Sequence, residues 1–423
     1  MKAYQEYKES GIKWIGQIPK HWVMANVGRM MNLGRGRVIS NIEIGENIGE
    51  FPVYSSQTSD NGIMGYINTY DFEGDYVTWT TDGANAGRVF FRTGKFNCTN
   101  VCGTMNPKNE KVYLPFIPYL LNLGTKYYVR YDINPKLMNG EMAQIEICLP
   151  SIDEQKTIVD FLDRKTAQID TLIAKKQRQI ELLQEQRTAL INHAVTKGLN
   201  PNAKMKDSGV EWLGEIPSHW YVVPIKRMVD VRDGTHETPD YIDASDVSIP
   251  FVTSKDFVDD RIDFSTAKHI SLNDHQEFIK RSKVDKWDVL MSMIGGNIGK
   301  SVMVDDDYDF SIKNLILFKT HGDIALSKFI LYYLKSGLLD VQIDIVSRGG
   351  AQSFLSLGDV RNLVFFKIPK AEYVKITKFL DEKNKQIEKE LSILAQQINL
   401  VQEYRTALIS EAVTGKIDVR GDR

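Results

Sequence analysis

The side chains of this sequence best suited to chemistry lie in polar loops of two separate regions. In the first half they are Arg35 and Arg37 in LGRGRVIS, Ser56 and Gln57 in VYSSQTSDNG, Arg88 at the end of DGANAGR, and Arg130, Lys136 and Asn139 in RYDINPKLMN. In the second half they are Thr235 and His236 in RDGTHETPDY, Ser254 and Lys255 in FVTSKDF, Lys300 at the end of IGGNIGK, and Arg348 and Gln352 in SRGGAQS. Guanidinium, ammonium, amide and hydroxyl groups can hydrogen-bond base edges or phosphate oxygens when a firm scaffold presents them. Each of these positions also has an ordinary reading as a solvated loop residue.

Catalytic patterns are a poorer fit. IGGNIGKS (294–301) resembles a phosphate-cradling loop, but G-x-x-x-x-G-K-[ST] needs glycine at 294, and the residue there is Ile294. The following SVMVDDD reads as a strand, whereas a phosphate loop opens a helix, so a glycine turn between strands is expected. There is no H-E-x-x-H, no G-x-S-x-G and no [DNS]-P-P-[FYW]. Cys98 and Cys102 make a lone C-x3-C, and with Cys148 they read as reduced, buried thiols rather than a zinc site. The seven histidines are scattered, and His21 and His219, each beside a tryptophan, read as packing or hydrogen-bonding residues. No catalytic residue, metal or bound cofactor is expected on this chain.

The elements that must position these loops are repeated. SGIKWIGQIPKHW (10–22) returns as SGVEWLGEIPSHW (208–220), DGANAGR (82–88) as IGGNIGK (294–300), and QEQRTALINHAVT (184–196) as QEYRTALISEAVT (402–414). The edges of the two halves match, while the interiors that carry the polar loops differ. Each half ends in a long segment without glycine or proline, Asp153 to Thr196 and Ala371 to Val413. Apolar residues recur there at Ile158, Leu162, Ile169, Leu172, Ile180, Leu183, Leu190 and Ala194, with Lys165, Lys176 and Arg187 filling the gaps of a near-heptad seam. At 1.5 Å per residue each helix would run roughly 65 Å. A lone amphipathic helix of that length would expose its stripe, so the two are expected to pair, antiparallel by connectivity. The remaining regions alternate short β-rich runs, such as YVTWT (76–80) and NLILF (314–318), with glycine, asparagine and aspartate turns. The expected fold class is α+β, with domains at 1–150 and 201–368 and helices at 151–200 and 369–423.

Composition is consistent with a globular chain. Of 423 residues, 42% are hydrophobic and 26% charged, and the formal net charge is −2. By segment the charge is +1 over 1–150, +1 over 151–200, −5 over 201–368 and +1 over 369–423. A uniformly basic coating protein is therefore excluded, and any nucleic-acid contact must be local. No export signal or membrane span is read, and a cytoplasmic location is expected.

The order of globular region, helix, globular region, helix resembles the specificity (S) subunit of Type I restriction–modification systems across essentially the whole chain. The residues that carry the resemblance are SGIKWIGQIPKHW and its copy, TTDGANAG (80–87), DGTHETPDY through FVTSKDF (233–257), and LPSIDEQKTIVDFLDRKTAQID (149–170). The second helix departs from the pattern by opening Pro369-Lys370-Ala371-Glu372-Tyr373. The resemblance implies two tandem α/β target recognition domains separated by two antiparallel coiled-coil helices, with a pseudo-twofold repeat. It also implies that the chain recognises a bipartite, asymmetric double-stranded DNA target and directs partner subunits to it. Those partners would be two methyltransferase subunits, with restriction or translocase subunits as an open addition. S-adenosylmethionine, ATP and Mg²⁺ would belong to them. A non-catalytic coiled-coil adaptor that binds only proteins is the alternative reading.

Overall fold

The computed structural model describes residues 2–131, 134–346 and 354–421. The chain forms two compact units, Met1–Lys176 with Ala395–Arg423, and Gln177–Leu394. Secondary-structure elements end at Leu149, Lys197 and Lys367. Compactness instead divides each long helix, so that each unit holds one globular region with part of both helices.

In unit 1, β1 (Met31–Arg35), β2 (Ile48–Tyr54), β3 (Ile63–Ile67), β4 (Phe72–Glu73), β5 (Tyr76–Thr80), β6 (Val89–Arg92), β7 (Lys95–Cys98) and β8 (Cys102–Pro107) form two sheets. Their orders are β1-β8-β5-β6 and β3-β2-β7-β4. Unit 2 has β9 (Asp230–Asp233), β10 (Ile249–Val252), β11 (Lys268–Ile270), β12 (Val289–Ser292), β13 (Ser301–Met303), β14 (Ser311–Ile312) and β15 (Leu315–Lys319). Its orders are β9-β15-β12-β13 and β11-β10-β14. The first sheet of each unit thus has its strands in the same sequence, first, fourth, second, third. Each second sheet contains one parallel pair, β2 with β7 and β10 with β14. The glycine turns at 82–88 and 294–300 connect β5 to β6 and β12 to β13, both antiparallel hairpins, as the sequence led us to expect.

Residues with β-branched and aromatic side chains make the central strands. Val77, Trp79, Val289 and Met291 are buried within them. Short helices cover the first sheets: α1 (Phe116–Gly124) buries Phe116, Ile117, Leu120 and Leu121, whose spacing puts them on one stripe. The long helices are α2 (Ile152–Lys197) and α3 (Lys370–Val413). In unit 1, Asp170 pairs with Arg405 at 3.0 Å and Lys176 donates to Gln397 at 2.6 Å. One residue number rises as the other falls, so the helices run antiparallel. The seam differs from expectation midway along α2. Thr166 and Ile173 turn inwards, whereas Leu172 is 42% exposed. Adjacent Leu172 and Ile173 fit the stripe equally well in sequence, and only the 3-4 alternation continued through Thr166 favours Ile173.

Each globular region is anchored to its helix start by the repeated tryptophan segment. Trp22 and Trp220 are fully buried. His21 Nε2 lies 2.9 Å from Glu154 Oε2, and His219 Nε2 lies 2.8 Å from Glu372 Oε2. The hydrogen-bonding role expected of these histidines is the one they have. The altered opening of α3 keeps the glutamate, and beside it Tyr373 donates to Asp323 at 3.1 Å in the place that Gln155 holds in α2. Glycines end both helices: Gly198 and Gly415 have φ of +73° and +71°. A Cβ on Gly415 would stand 2.3 Å from Pro19 and 3.1 Å from the Trp22 ring, so the end of α3 rests on the first tryptophan segment. Nearby, Asp418 N donates to Lys2 O at 2.8 Å.

Candidate nucleic-acid interface

Both candidate surfaces are built where the chain passes from the first sheet towards the second. In unit 1, Gly36 N donates to Cys102 O at 3.0 Å and Arg37 N to Cys98 O at 3.1 Å. In unit 2, Gly234 N donates to Leu315 O at 2.8 Å and Thr235 N to Ile312 O at 3.1 Å. A Cβ on either glycine would fall 2.2 or 2.4 Å from a backbone carbonyl oxygen, so no other residue fits this crossing. Short parallel bridges follow, Arg37 with Thr99 and Thr235 with Lys313. The crossing therefore exposes Arg35 and Arg37 in one unit and His236 in the other, where Asp233 and Thr235 are buried beneath it. Sequence reasoning named the flanking residues but did not align GRGR with RDGT. Their glycines stand at the same 198-residue offset as the tryptophan segments.

The unit 1 surface is an ion-pair lattice. Arg35 Nε donates to Asn100 O at 2.6 Å, with Nη2 3.8 Å from Asp82. Arg37 is held between Glu43 at 2.7 Å and Asp71 at 2.9 Å. The hydrogen bond from Arg37 lowers the pKa of Glu43 below the usual carboxylate range. Lys136 lies 3.8 Å from the same Asp82, and Asn139 donates to Gly34 O at 3.2 Å. Arg130 pairs with Glu141 at 3.1 Å. Ser56 accepts at its carbonyl from Asn85 of the glycine turn at 3.0 Å, and Gln57 turns back to Ile63 O. Arg35, Lys136 and Asn139 are thus brought together around the crossing. Arg88 is set apart, lining a recess with Tyr119 and Asn122 of the short helix and Arg405 of α3.

In unit 2, His236 Nδ1 lies 2.8 Å from Asn314 Oδ1 and Nε2 lies 3.2 Å from Asp233. Asp233 also receives Arg281 Nε at 3.0 Å. Ser254 and Lys255 follow β10, as Ser56 and Gln57 follow β2. They line a recess of about 500 Å³ with Tyr241, Lys268, Lys313 and Asn314, residues that the sequence reading passed over. Lys300 turns away to the carbonyl of Phe257 at 2.6 Å, a structural bond. Arg348 and Gln352 lie outside the described residues. Cys98, Cys102 and Cys148 are free and buried, and burial pushes the Cys148 thiol up to about 12. Among the described residues, no group of three or more His, Cys, Asp or Glu side chains is placed to hold a metal ion, and no helix is long and apolar enough to cross a membrane.

Comparison with known families bears directly on this repeated arrangement. The profile of the Type I restriction modification DNA specificity domain matches residues 19–182 and again 217–398. The chain belongs to this family. A Mycoplasma pneumoniae protein named as the N-terminus of a type I specificity subunit is 50% identical over 133 residues, 31% of this chain and 71% of that one. The MjaVIII type I restriction enzyme specificity subunit of Methanocaldococcus jannaschii is 23% identical over 98% of both chains. A chain from a solved type I restriction–modification assembly shares the fold, with a TM-score of 0.72 and 14% identity over 95% of this chain and 99% of that one. The Type I specificity chain described here is thus a non-catalytic subunit, and its two family matches fall on the two halves that the sequence repeat delimits.

Proposed function

We propose that this Type I specificity chain reads a bipartite, asymmetric double-stranded DNA target, one half-site per unit, and brings two methyltransferase subunits and restriction subunits to it. The observation that carries this reading is the shared crossing. One strand order and one glycine geometry expose Arg35 and Arg37 in unit 1 but His236, over a buried Asp233 and Thr235, in unit 2. A scaffold repeated with different polar groups at the same place suits two different base sequences. The candidate contacts are Arg35, Arg37, Ser56, Gln57, Lys136 and Asn139 for one half-site, and Thr235, His236, Ser254 and Lys255 for the other. Partner subunits carry S-adenosylmethionine, ATP and Mg²⁺ in this reading, and the assembly works in the cytoplasm. The long helices set the interval between half-sites.

The test is to exchange residues 21–150 for the corresponding region of another specificity chain and to sequence the methylated positions in cells that express it with its methyltransferase. One half-site should change, while the other half-site and the interval persist. Alteration of both half-sites would defeat the proposal.

A further inference from the structure

The recess of unit 2 carries positive charge that its own unit does not neutralise. Lys255, Lys268 and Lys313 reach it from the segment after β10, from β11 and from the bridge at Thr235. Lys268 Nζ sits 4.0 Å over the Tyr241 ring, and Lys313 Nζ meets the Thr238 hydroxyl. Among the described residues, none of the three makes an ion pair. The acid in the wall, Asp256, is 5% exposed and already engaged: Oδ2 accepts from Thr253 N at 2.7 Å and from its hydroxyl at 2.9 Å, and Oδ1 accepts from Thr266 at 3.2 Å. The other polar groups are neutral donors, with Ser254 and Asn314 at the wall. Converging ammonium groups with hydroxyl and amide donors, and no free carboxylate, suit an oxyanion.

We infer that this recess is the phosphate grip of the chain: Lys255, Lys268 and Lys313 hold the DNA backbone regardless of sequence, and among the described residues the matching crossing of unit 1 carries ion-paired cations instead. This rests on the DNA-recognition reading above and adds a division of labour to it. The ion-paired arginines of unit 1 have their forks held in place by carboxylates that also cancel much of their long-range pull, which suits base edges better than backbone. The lysines of unit 2 have the opposite properties. Phosphate contacts release condensed counterions, so the grip has a signature that base contacts lack.

The experiment measures binding of the full chain to a 40-base-pair duplex of random sequence across a salt series, so the target need not be known. The triple variant K255A/K268A/K313A should bind on the order of tenfold more weakly, with a log–log salt slope shallower by about 0.9 per lysine removed. The K255R/K268R/K313R variant should restore the slope, which a variant that only disturbed the fold would not do. Unchanged affinity and slope in the alanine variant would overturn the grip while leaving DNA recognition standing. So would a loss confined to one target sequence, since it would make these lysines base readers. If the unaltered chain binds no duplex under any salt condition, the underlying reading fails and the grip with it.

Discussion

Around the glycine crossing of unit 1, Arg35, Arg37, Arg130 and Lys136 each face a carboxylate, whereas beside the crossing of unit 2 Lys255, Lys268 and Lys313 face none. Summed charge ranks the regions the other way, +1 for residues 1–150 and −5 for 201–368. Several acids of unit 2 are engaged elsewhere: Asp285 and Asp288 with Lys319, Asp260 with Lys335, and Asp307 with Lys286. A field at a surface follows the placement of charges within about a Debye length, so a domain's net charge says little about one recess.

The same contrast runs into the small cores between the sheets. Val304 of unit 2 is buried among Val252, Leu290, Phe310 and Ile312. The matching position in unit 1, by the offset of the glycine turns, is Arg92. It is 3% exposed, stacked 3.6 Å over Tyr54, and donates through Nε to Thr78 at 3.2 Å, while Nη1 has no partner. Burial lowers the pKa of this guanidinium. One scaffold therefore accepts a cation stacked on aromatic rings in one copy and an aliphatic side chain in the other.

The severest way to break this comparison is to transfer the residue. Val304→Arg should cost about 4 kcal/mol, because the apolar side chains packed around Val304 would leave a buried charge uncompensated, whereas Arg92→Met should cost less than about 1 kcal/mol. Hydrogen exchange that shows local opening of unit 2 in the first variant alone would support the contrast, and equal effects would remove it. A smaller effect is expected at the readers. Arg37→Gln should relax discrimination at one base pair by about 1–3 kcal/mol without altering the salt slope on random duplex. A shallower slope would mean that Arg37 holds phosphate and that unit 1 also grips.

The smallest effect concerns the tryptophan anchors. Trp22 Nε1 donates to Glu154 at 3.2 Å, and Tyr4 donates to the same oxygen at 2.7 Å, whereas Trp220 Nε1 is buried without an acceptor. Trp22→Phe should therefore destabilise unit 1 by about 1–1.5 kcal/mol beyond the effect of Trp220→Phe on unit 2. Thermal unfolding followed by hydrogen exchange in each unit would measure the difference. Equal losses would show that packing alone sets the anchor.

The scaffold was more legible in the sequence than the surfaces. The repeated edges carry the packing of tryptophan, glycine and helix seam, and packing constrains residue types at fixed spacing, so the tandem plan could be read from them. The seam slipped at Leu172 because two neighbouring apolar residues cannot be ordered by hydrophobicity alone. At the candidate surfaces, loops such as LGRGRVIS announced their polar residues, but which of them are engaged in ion pairs depends on contacts like Arg37 with Asp71, made between distant segments. Lys268 and Lys313 were missed for the same reason. They stand in strand and bridge positions, without a motif, and only the fold brings them to Lys255. Arg88 and Lys300 match in sequence, yet one lines a recess with the long helix and the other bonds a backbone carbonyl.

The division of the chain has a consequence for how it is made. Unit 2 is one continuous stretch, Gln177–Leu394, while unit 1 needs both Met1–Lys176 and Ala395–Arg423. Synthesis runs from the N-terminus at about 5–20 residues per second. The first recognition surface to be translated must therefore wait, with its helix seam and Trp22 uncovered, until the last segment arrives. Unit 2 has all its residues sooner after its synthesis begins, so a nascent chain is expected to complete its second half before its first.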